Sequence, residues 1–176
     1  WGTSFIAKNG PSERYVTWHQ DQTHWSLTAP RAVTAWLAFT PSSPANGGVR
    51  MVPGSNRTIL EHRDSGDGLN MLGRREEVIA EVDENDAIDV VLGPGEMSLH
   101  DPLIVHGSPA NLSTTRRIGF AIRYIPADIA QRDGIRNFAT WVRGRDHGHF
   151  EPEHAPAAAF HPDAVRHHAQ SIRQSM

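Results

Sequence analysis

The chain of 176 residues contains no cysteine. Disulfides, thiolate nucleophiles, iron-sulfur clusters and cysteine-bound zinc are thereby excluded, and any metal must be held through nitrogen and oxygen. No apolar run approaches the roughly 18 to 20 residues that a membrane helix needs. A dominant charge is missing too: 17 Lys and Arg against 20 Asp and Glu leave a net of -3, which gives no general pull toward nucleic acid or an anionic membrane. The expected partner is a small molecule in a soluble, cytoplasmic setting, with no nucleic acid and no membrane, and no sequence feature points to an oligomeric state.

The length suits one compact domain and is short for two. Up to about residue 126 the chain reads as short β-rich runs separated by Gly, Pro, Asn and Asp. Strands are expected at 3–8, 32–39, 49–52, 87–92, 96–100, 103–106 and 117–124, bounded by turns such as Asn46-Gly47-Gly48 and Gly93-Pro94-Gly95. That number and spacing predict an all-β core, a double-stranded β-helix or cupin-like jelly roll, with peripheral helices. Segment 61–84 is polar and reads as a long loop or a short helix at the rim. After Pro126 the composition changes, and residues 155–159 followed by 162–174 look like a closing helix with a proline near its start. The expectation is a single domain over 1–176, with a core of about 1–126 and a C-terminal extension of about 127–176. Because the chain opens inside a strand, its natural N-terminal part is expected to lie upstream.

What is abundant is histidine, eleven in all. Trp18-His19-Gln20-Asp21 offers an imidazole and a carboxylate two positions apart, and alternate residues of an extended strand point the same way. His106, in Val105-His106-Gly107-Ser108, can complete a triangular face, and Arg117 follows eleven positions later. A 2-His-1-carboxylate face leaves coordination positions open, which suits a non-haem iron centre that must chelate a cosubstrate and admit dioxygen. Alone, each part has an ordinary explanation: a solvated His-x-Asp loop, a hydrogen-bonded histidine at a strand end, a surface ion pair for Arg117. The ordered combination is far more demanding than any of them.

Several further blocks occur in order: Val33-Thr34-Ala35-Trp36-Leu37-Ala38, Val52-Pro53-Gly54-Ser55, Gly95-Glu96-Met97-Ser98-Leu99-His100, and Asn111-Leu112-Ser113 ahead of Arg116-Arg117-Ile118. With the histidine motifs, the stretch from Trp18 to Pro126 resembles the phytanoyl-CoA dioxygenase family of iron(II)- and 2-oxoglutarate-dependent oxygenases. The resemblance implies His19, Asp21 and His106 as catalytic iron ligands, with dioxygen and 2-oxoglutarate as co-reactants. It implies Arg117 as the anchor for the distal carboxylate of 2-oxoglutarate, Ser108 as a hydrogen-bonding partner, and Trp36 and Gln20 as cosubstrate-pocket positions. For Trp36, plain core packing is an equal alternative. One departure is Asn56, where the family often has His after Pro-Gly-Ser.

The implied reaction is hydroxylation of a small organic molecule with release of succinate and carbon dioxide, and the retained Asp21 carboxylate favours hydroxylation over halogenation. His24 and Trp25, next along the chain, are the candidate substrate contacts, with packing under a loop as the alternative for Trp25. His100 is expected to support the site from behind, and His147, His149 and His154 to lie in a surface loop. A competing reading is a non-catalytic metal- or ligand-binding cupin-like jelly roll, from which Arg117 with Ser108 is the distinguishing feature. The acidic balance argues against a polyanionic thioester substrate, whereas Arg57, Arg63, Arg74 and Arg75 could form a local basic patch.

Overall fold

The computed structural model describes residues 1–132, 134 and 136–175. Its strands are β1 (Thr3–Lys8), β2 (Val16–His19), β3 (Val33–Ala38), β4 (Arg50–Met51), β5 (His62–Asp64), β6 (Glu76–Val78), β7 (Ile88–Asp89), β8 (Met97–His100), β9 (His106–Ser108), β10 (Arg117–Tyr124), β11 (Phe138–Ala139) and β12 (Glu151–Pro152), with helices α1 (Gln22–Trp25) and α2 (Pro162–Ser175). Two four-stranded antiparallel sheets, ordered β1-β10-β3-β8 and β2-β9-β4-β7, face each other as a double-sheet jelly roll. Among the described residues no helix is long and apolar enough to cross a membrane.

The inner face of the larger sheet is set by strand alternation. Trp36 and Ala38 of β3 and Ala121 of β10 meet Val49 and Met51 of the smaller sheet, with Ile6, Val90, Leu92 and Ile104 packed around them. A second cluster, Trp25, Leu27, Ala32 and Ile129 with Trp1, Ile125 and Phe150, closes one end. The outer face of the larger sheet is also apolar. Phe5 stacks on Phe120 with centroids 4.5 Å apart, and Phe39, Met97 and Leu99 lie exposed beside them.

The long strands fall where the alternation predicts them, but three local expectations are corrected. Segment 61–84 is neither loop nor helix throughout: it contains the β5-β6 hairpin, paired His62 to Val78 and Asp64 to Glu76. Residues 103–105 are a turn rather than a strand, because the Asp101 carboxylate accepts from the Leu103 amide at 2.8 Å and the Asp101 carbonyl from the Ile104 amide at 3.1 Å. Pairing therefore begins at His106. Residues 155–159 stay outside the closing helix, which starts at Pro162, where the ring's fixed φ suits a first turn.

Gly119 of β10 is required by packing. A Cβ there would lie 2.1 Å from Trp36 Cζ2 and 2.4 Å from Cε2, so the indole lies directly against the bare backbone. Gly119→Ala must push out a ring that is 4% exposed. We expect a loss of about 2 to 3 kcal/mol in urea denaturation, the range for overpacking a filled core; an unchanged midpoint would show that the ring can move freely.

Candidate metal centre and cosubstrate pocket

In the smaller sheet β2 pairs with β9 so that His19 stands opposite His106, and their ring centroids are 4.1 Å apart. The chain leaves the extended conformation after His19. Asp21 has φ -57 and ψ -39 and opens α1, so its carboxylate comes back to the imidazole through a tight turn, not through the continued strand that the His-x-Asp spacing suggests. His19 Nε2 and Asp21 Oδ1 are 3.5 Å apart. One ligand atom from each of His19, Asp21 and His106 lies within 4.8 Å of the others, close enough to share one ion.

Both imidazoles are oriented the same way. His19 Nδ1 is 2.9 Å from the Thr17 carbonyl and His106 Nδ1 is 3.0 Å from the Ile104 carbonyl, each two residues upstream. With Nδ1–H donated to backbone, each ring keeps its Nε2 lone pair for a metal. Burial, reinforced by the neighbouring His19, pushes His106 down to about 3 and keeps it neutral. Burial is the largest influence on His19 and pulls it down, but the hydrogen bond and charge of Asp21, the Thr17 carbonyl and the field of Glu76 together outweigh it and the net direction is upward. Burial alone would raise the Asp21 carboxyl, yet the His19 hydrogen bond and the fields of His106 and Arg123 hold it well below the usual carboxylate range. A metal that displaces the proton shared between His19 and Asp21 would meet two neutral imidazoles and one carboxylate, a donor set that fits a divalent first-row ion such as iron(II).

A cavity of about 170 Å³ runs from these ligands to Ser108 and Arg117, walled by Ile6, Val16, Trp36, Val49, Met71 and Leu72. Arg117 is 1% exposed. Its Nη2 donates to Ser108 Oγ at 3.3 Å, its guanidinium carbon sits 5.5 Å from the centre of the Trp36 ring, and its Nε has no partner. A second cation, absent from the sequence reading, lies beside it. Lys8, 2% exposed, pairs with Arg117 across β1 and β10 and donates from Nζ to the Ser108 carbonyl at 2.9 Å, to Ser108 Oγ at 2.6 Å and to the Pro109 carbonyl. Burial, then the field of Arg117, lowers Lys8 to about 7, and burial lowers Arg117 to about 10. Two buried cations without a carboxylate at their ends make a receptor for an anion, and the guanidinium fork suits a carboxylate.

The phytanoyl-CoA dioxygenase family model matches residues 1–119, more than half of the chain. The chain belongs to the phytanoyl-CoA dioxygenase family. It is 30% identical over 140 residues to a probable alpha-ketoglutarate-dependent hypophosphite dioxygenase of Stutzerimonas stutzeri, covering 74% of this chain and 46% of that protein. It is 27% identical over 132 residues to a phytanoyl-CoA dioxygenase domain-containing protein 1 homolog of Dictyostelium discoideum, covering 72% and 46%. The chain thus spans about half the length of the curated relatives it matches. Among solved structures it superposes on the apo non-heme monooxygenase ThoJ with a TM-score of 0.85 at 31% identity, over 99% of this chain and 64% of that one. EvdO2 from Micromonospora carbonacea var. aurantiaca, complexed with 2-oxoglutarate, has a TM-score of 0.60 at 22% identity over 74% of this chain and 54% of that one, and so shares the fold.

Within this phytanoyl-CoA dioxygenase family chain, His19, Asp21, His106, Ser108, Arg117 and Trp36 all line the same cavity. Three other expected site residues do not. Gln20 sits between the two ligands and so turns to the opposite side. It is fully buried, its Nε2 donating to the carbonyls of Leu103 at 2.7 Å and Thr58 at 2.9 Å while Oε1 accepts from the Leu60 amide at 2.8 Å. It braces the ligand turn and has no amide group left for a cosubstrate. Trp25 packs in the end cluster, edge-on to Trp1 with centroids 5.6 Å apart, and supports Arg123 from outside the cavity. His24 pairs with Glu76 at 3.1 Å, because α1 swings it toward β6 and not along a strand over the metal. His100, whose Nδ1 is buried without a partner, lines the cavity with its ring 5.1 Å from that of His106. His147 and His154 are exposed and His149 is half-buried, and Arg63 and Arg75 pair with Glu77 and Asp64 rather than forming a free basic patch.

Lys8 was missed because a single lysine in a strand carries no motif; its only hint was its inward parity in 3–8. Its lowered pKa gives a signed expectation. Between about pH 7 and its ordinary 10.5 the folded protein holds Lys8 neutral while the unfolded chain protonates it, so stability gains from this residue as pH rises through that window, and below 7, where both states carry the ammonium, its full burial cost is present. A bound carboxylate favours the ammonium form. At pH 8, 2-oxoglutarate binding should therefore take up protons, read from calorimetry in buffers of different ionisation enthalpy, and Lys8→Met should abolish the uptake.

Proposed function

We propose that this chain is an iron(II)- and 2-oxoglutarate-dependent dioxygenase that hydroxylates a small molecule and releases succinate and carbon dioxide. The observation that carries this is the shared cavity: a 2-His-1-carboxylate face and a buried cationic anchor open into the same walled space. Iron(II), when bound, supplies the activation of dioxygen that oxidatively decarboxylates 2-oxoglutarate and hydroxylates the substrate. His19, Asp21 and His106 would hold it from one side, leaving the cavity side for 2-oxoglutarate, dioxygen and substrate.

The remaining work belongs to the chain itself. Arg117 binds the distal carboxylate, Lys8 adds charge beside it, and Ser108 Oγ, within reach of both cations, orients the pair. Trp36 presents its ring to the guanidinium and fixes the fork's plane. The apolar walls limit water, so every charge interaction inside the cavity is stronger than it would be in solvent. Family membership and the relatives' names support the 2-oxoglutarate chemistry. The alternative of a non-catalytic cupin-like ligand binder gives no role to a buried Arg117 that opens into the cavity of the metal site with Lys8 behind it. A single domain and a cytoplasmic location complete the proposal.

Anaerobic titration of the iron(II)-loaded protein with 2-oxoglutarate tests it. The wild type should develop the weak visible band of a metal-bound 2-oxo acid. In Arg117→Ala the half-saturating concentration should rise by about 100-fold, the scale of one buried charge-assisted contact. Absence of the band at saturating metal and cosubstrate would favour the non-catalytic reading.

A further inference from the structure

The inward side of β10 carries a second guanidinium. Arg117, Ala121 and Arg123 all line the cavity, and six residues of strand place Arg123 about 20 Å along β10 from Arg117, opposite Thr34 and within the field of Asp21. Arg123 is held from two sides. Its Nη1 donates to Ser4 Oγ at 3.1 Å and its guanidinium carbon lies 5.5 Å from the centre of the Trp25 ring. Little of its hydrogen-bonding capacity is used: a guanidinium has five N–H donors, and Nε is buried without a partner.

Asp21 is the acid of this cavity, and it does not neutralise Arg123. Its oxygens are occupied by His19, 3.5 Å away, and by Thr34 Oγ1, which donates at 3.3 Å; Arg123 acts on it only through its field. Counted as formal charges, iron(II), Arg117 and a Lys8 protonated on cosubstrate binding already exceed Asp21 and the two carboxylates of 2-oxoglutarate, so no anion remains for Arg123. Arg123 is then left as an uncompensated cation at the end of the cavity away from the cosubstrate anchor. Arg123 is half-buried, and the unpartnered donor on its buried side is costly unless an anion meets it.

We propose that Arg123 recognises the substrate, and that the substrate carries an oxyanion, a carboxylate or a phosphorus oxyanion, on a small body that fits between Arg123 and the metal. This rests on the oxygenase reading and adds a substrate class to it. Trp25 and Ser4 act as positioning residues that hold the fork open toward the cavity.

The test is calorimetric titration of the nickel(II)- and 2-oxoglutarate-loaded protein with butanoate, methylphosphonate and the neutral isostere butanamide, in wild type, Arg123→Met and Arg123→Lys. The wild type should bind at least one acid about tenfold or more tightly than the amide, the margin of a charge-assisted contact. Which acid binds tighter identifies the oxyanion. Arg123→Met should lose the preference while holding 2-oxoglutarate within about threefold of wild type, showing that the cosubstrate end is still folded. Arg123→Lys should recover part of it, having the charge without the fork. Equal binding of acid and amide, no binding of either acid, or a preference that survives in Arg123→Met would overturn the proposal. A wild type that fails to bind 2-oxoglutarate in the presence of metal would instead overturn the oxygenase reading, and this proposal with it.

Discussion

The antiparallel register of β2 on β9 is the constraint from which the site follows. Directly opposed residues on one face of such a pair have Cβ atoms about 5 Å apart, so His19 and His106, 87 positions apart in the chain, become neighbours by strand pairing alone. A slip of one residue would send one imidazole to the other face and dissolve the metal triangle. Gly107 holds this register closely: a Cβ there would sit 3.0 Å from the Val16 carbonyl oxygen and 3.1 Å from that of Thr17. The backbone carbonyls of Thr17 and Ile104 then fix both ring tautomers. Asp21 needs a separate device, the turn into α1, and Gln20 braces that turn with three hydrogen bonds.

A second theme is unpaired positive charge. Lys8 and Arg117 are almost wholly buried, and their partners are carbonyl and hydroxyl oxygens instead of carboxylates. Burial makes both charges costly and displaces both toward easier deprotonation, and for Lys8 the field of Arg117 adds to it. The strain is relieved by a dianion, so the fold holds an affinity for 2-oxoglutarate-like ligands as an unmet electrostatic need. Arg123 repeats the pattern more mildly at the far end of β10. Arg117 and Arg123 line the cavity against one carboxylate, Asp21, and Lys8 backs Arg117 from beside Ser108, which explains why an acidic chain can present a cationic cavity.

Much of this is readable from residue order, and the exceptions have physical causes. The jelly roll follows from period-two alternation and turn residues, and β1 and β10 fall within the expected bounds because long strands average out local noise. The β5-β6 hairpin hides because its strands, His62–Asp64 and Glu76–Val78, are short and polar on their outer faces. His19, Asp21, His106, Ser108 and Arg117 are recognisable as ordered motifs. Gln20 lies outside the cavity because alternation along β2 turns it away from His19, and His24 and Trp25 because the chain leaves the strand and enters α1 at Asp21. Lys8 and Arg123 gain meaning only when β1 and β10 are paired, since neither has a motif of its own.

The central claim is that these parts act together as an oxygenase. Its most direct measurement is dioxygen-dependent release of labelled carbon dioxide from 1-labelled 2-oxoglutarate by the iron(II)-loaded protein, with succinate formed in equal amount, in wild type and Asp21→Ala. The account predicts equimolar carbon dioxide and succinate in the wild type only, with a fall of about 100-fold or more when the carboxylate ligand is removed. Metal-dependent binding of 2-oxoglutarate with no carbon dioxide release, or release unaffected by Asp21→Ala, would contradict it.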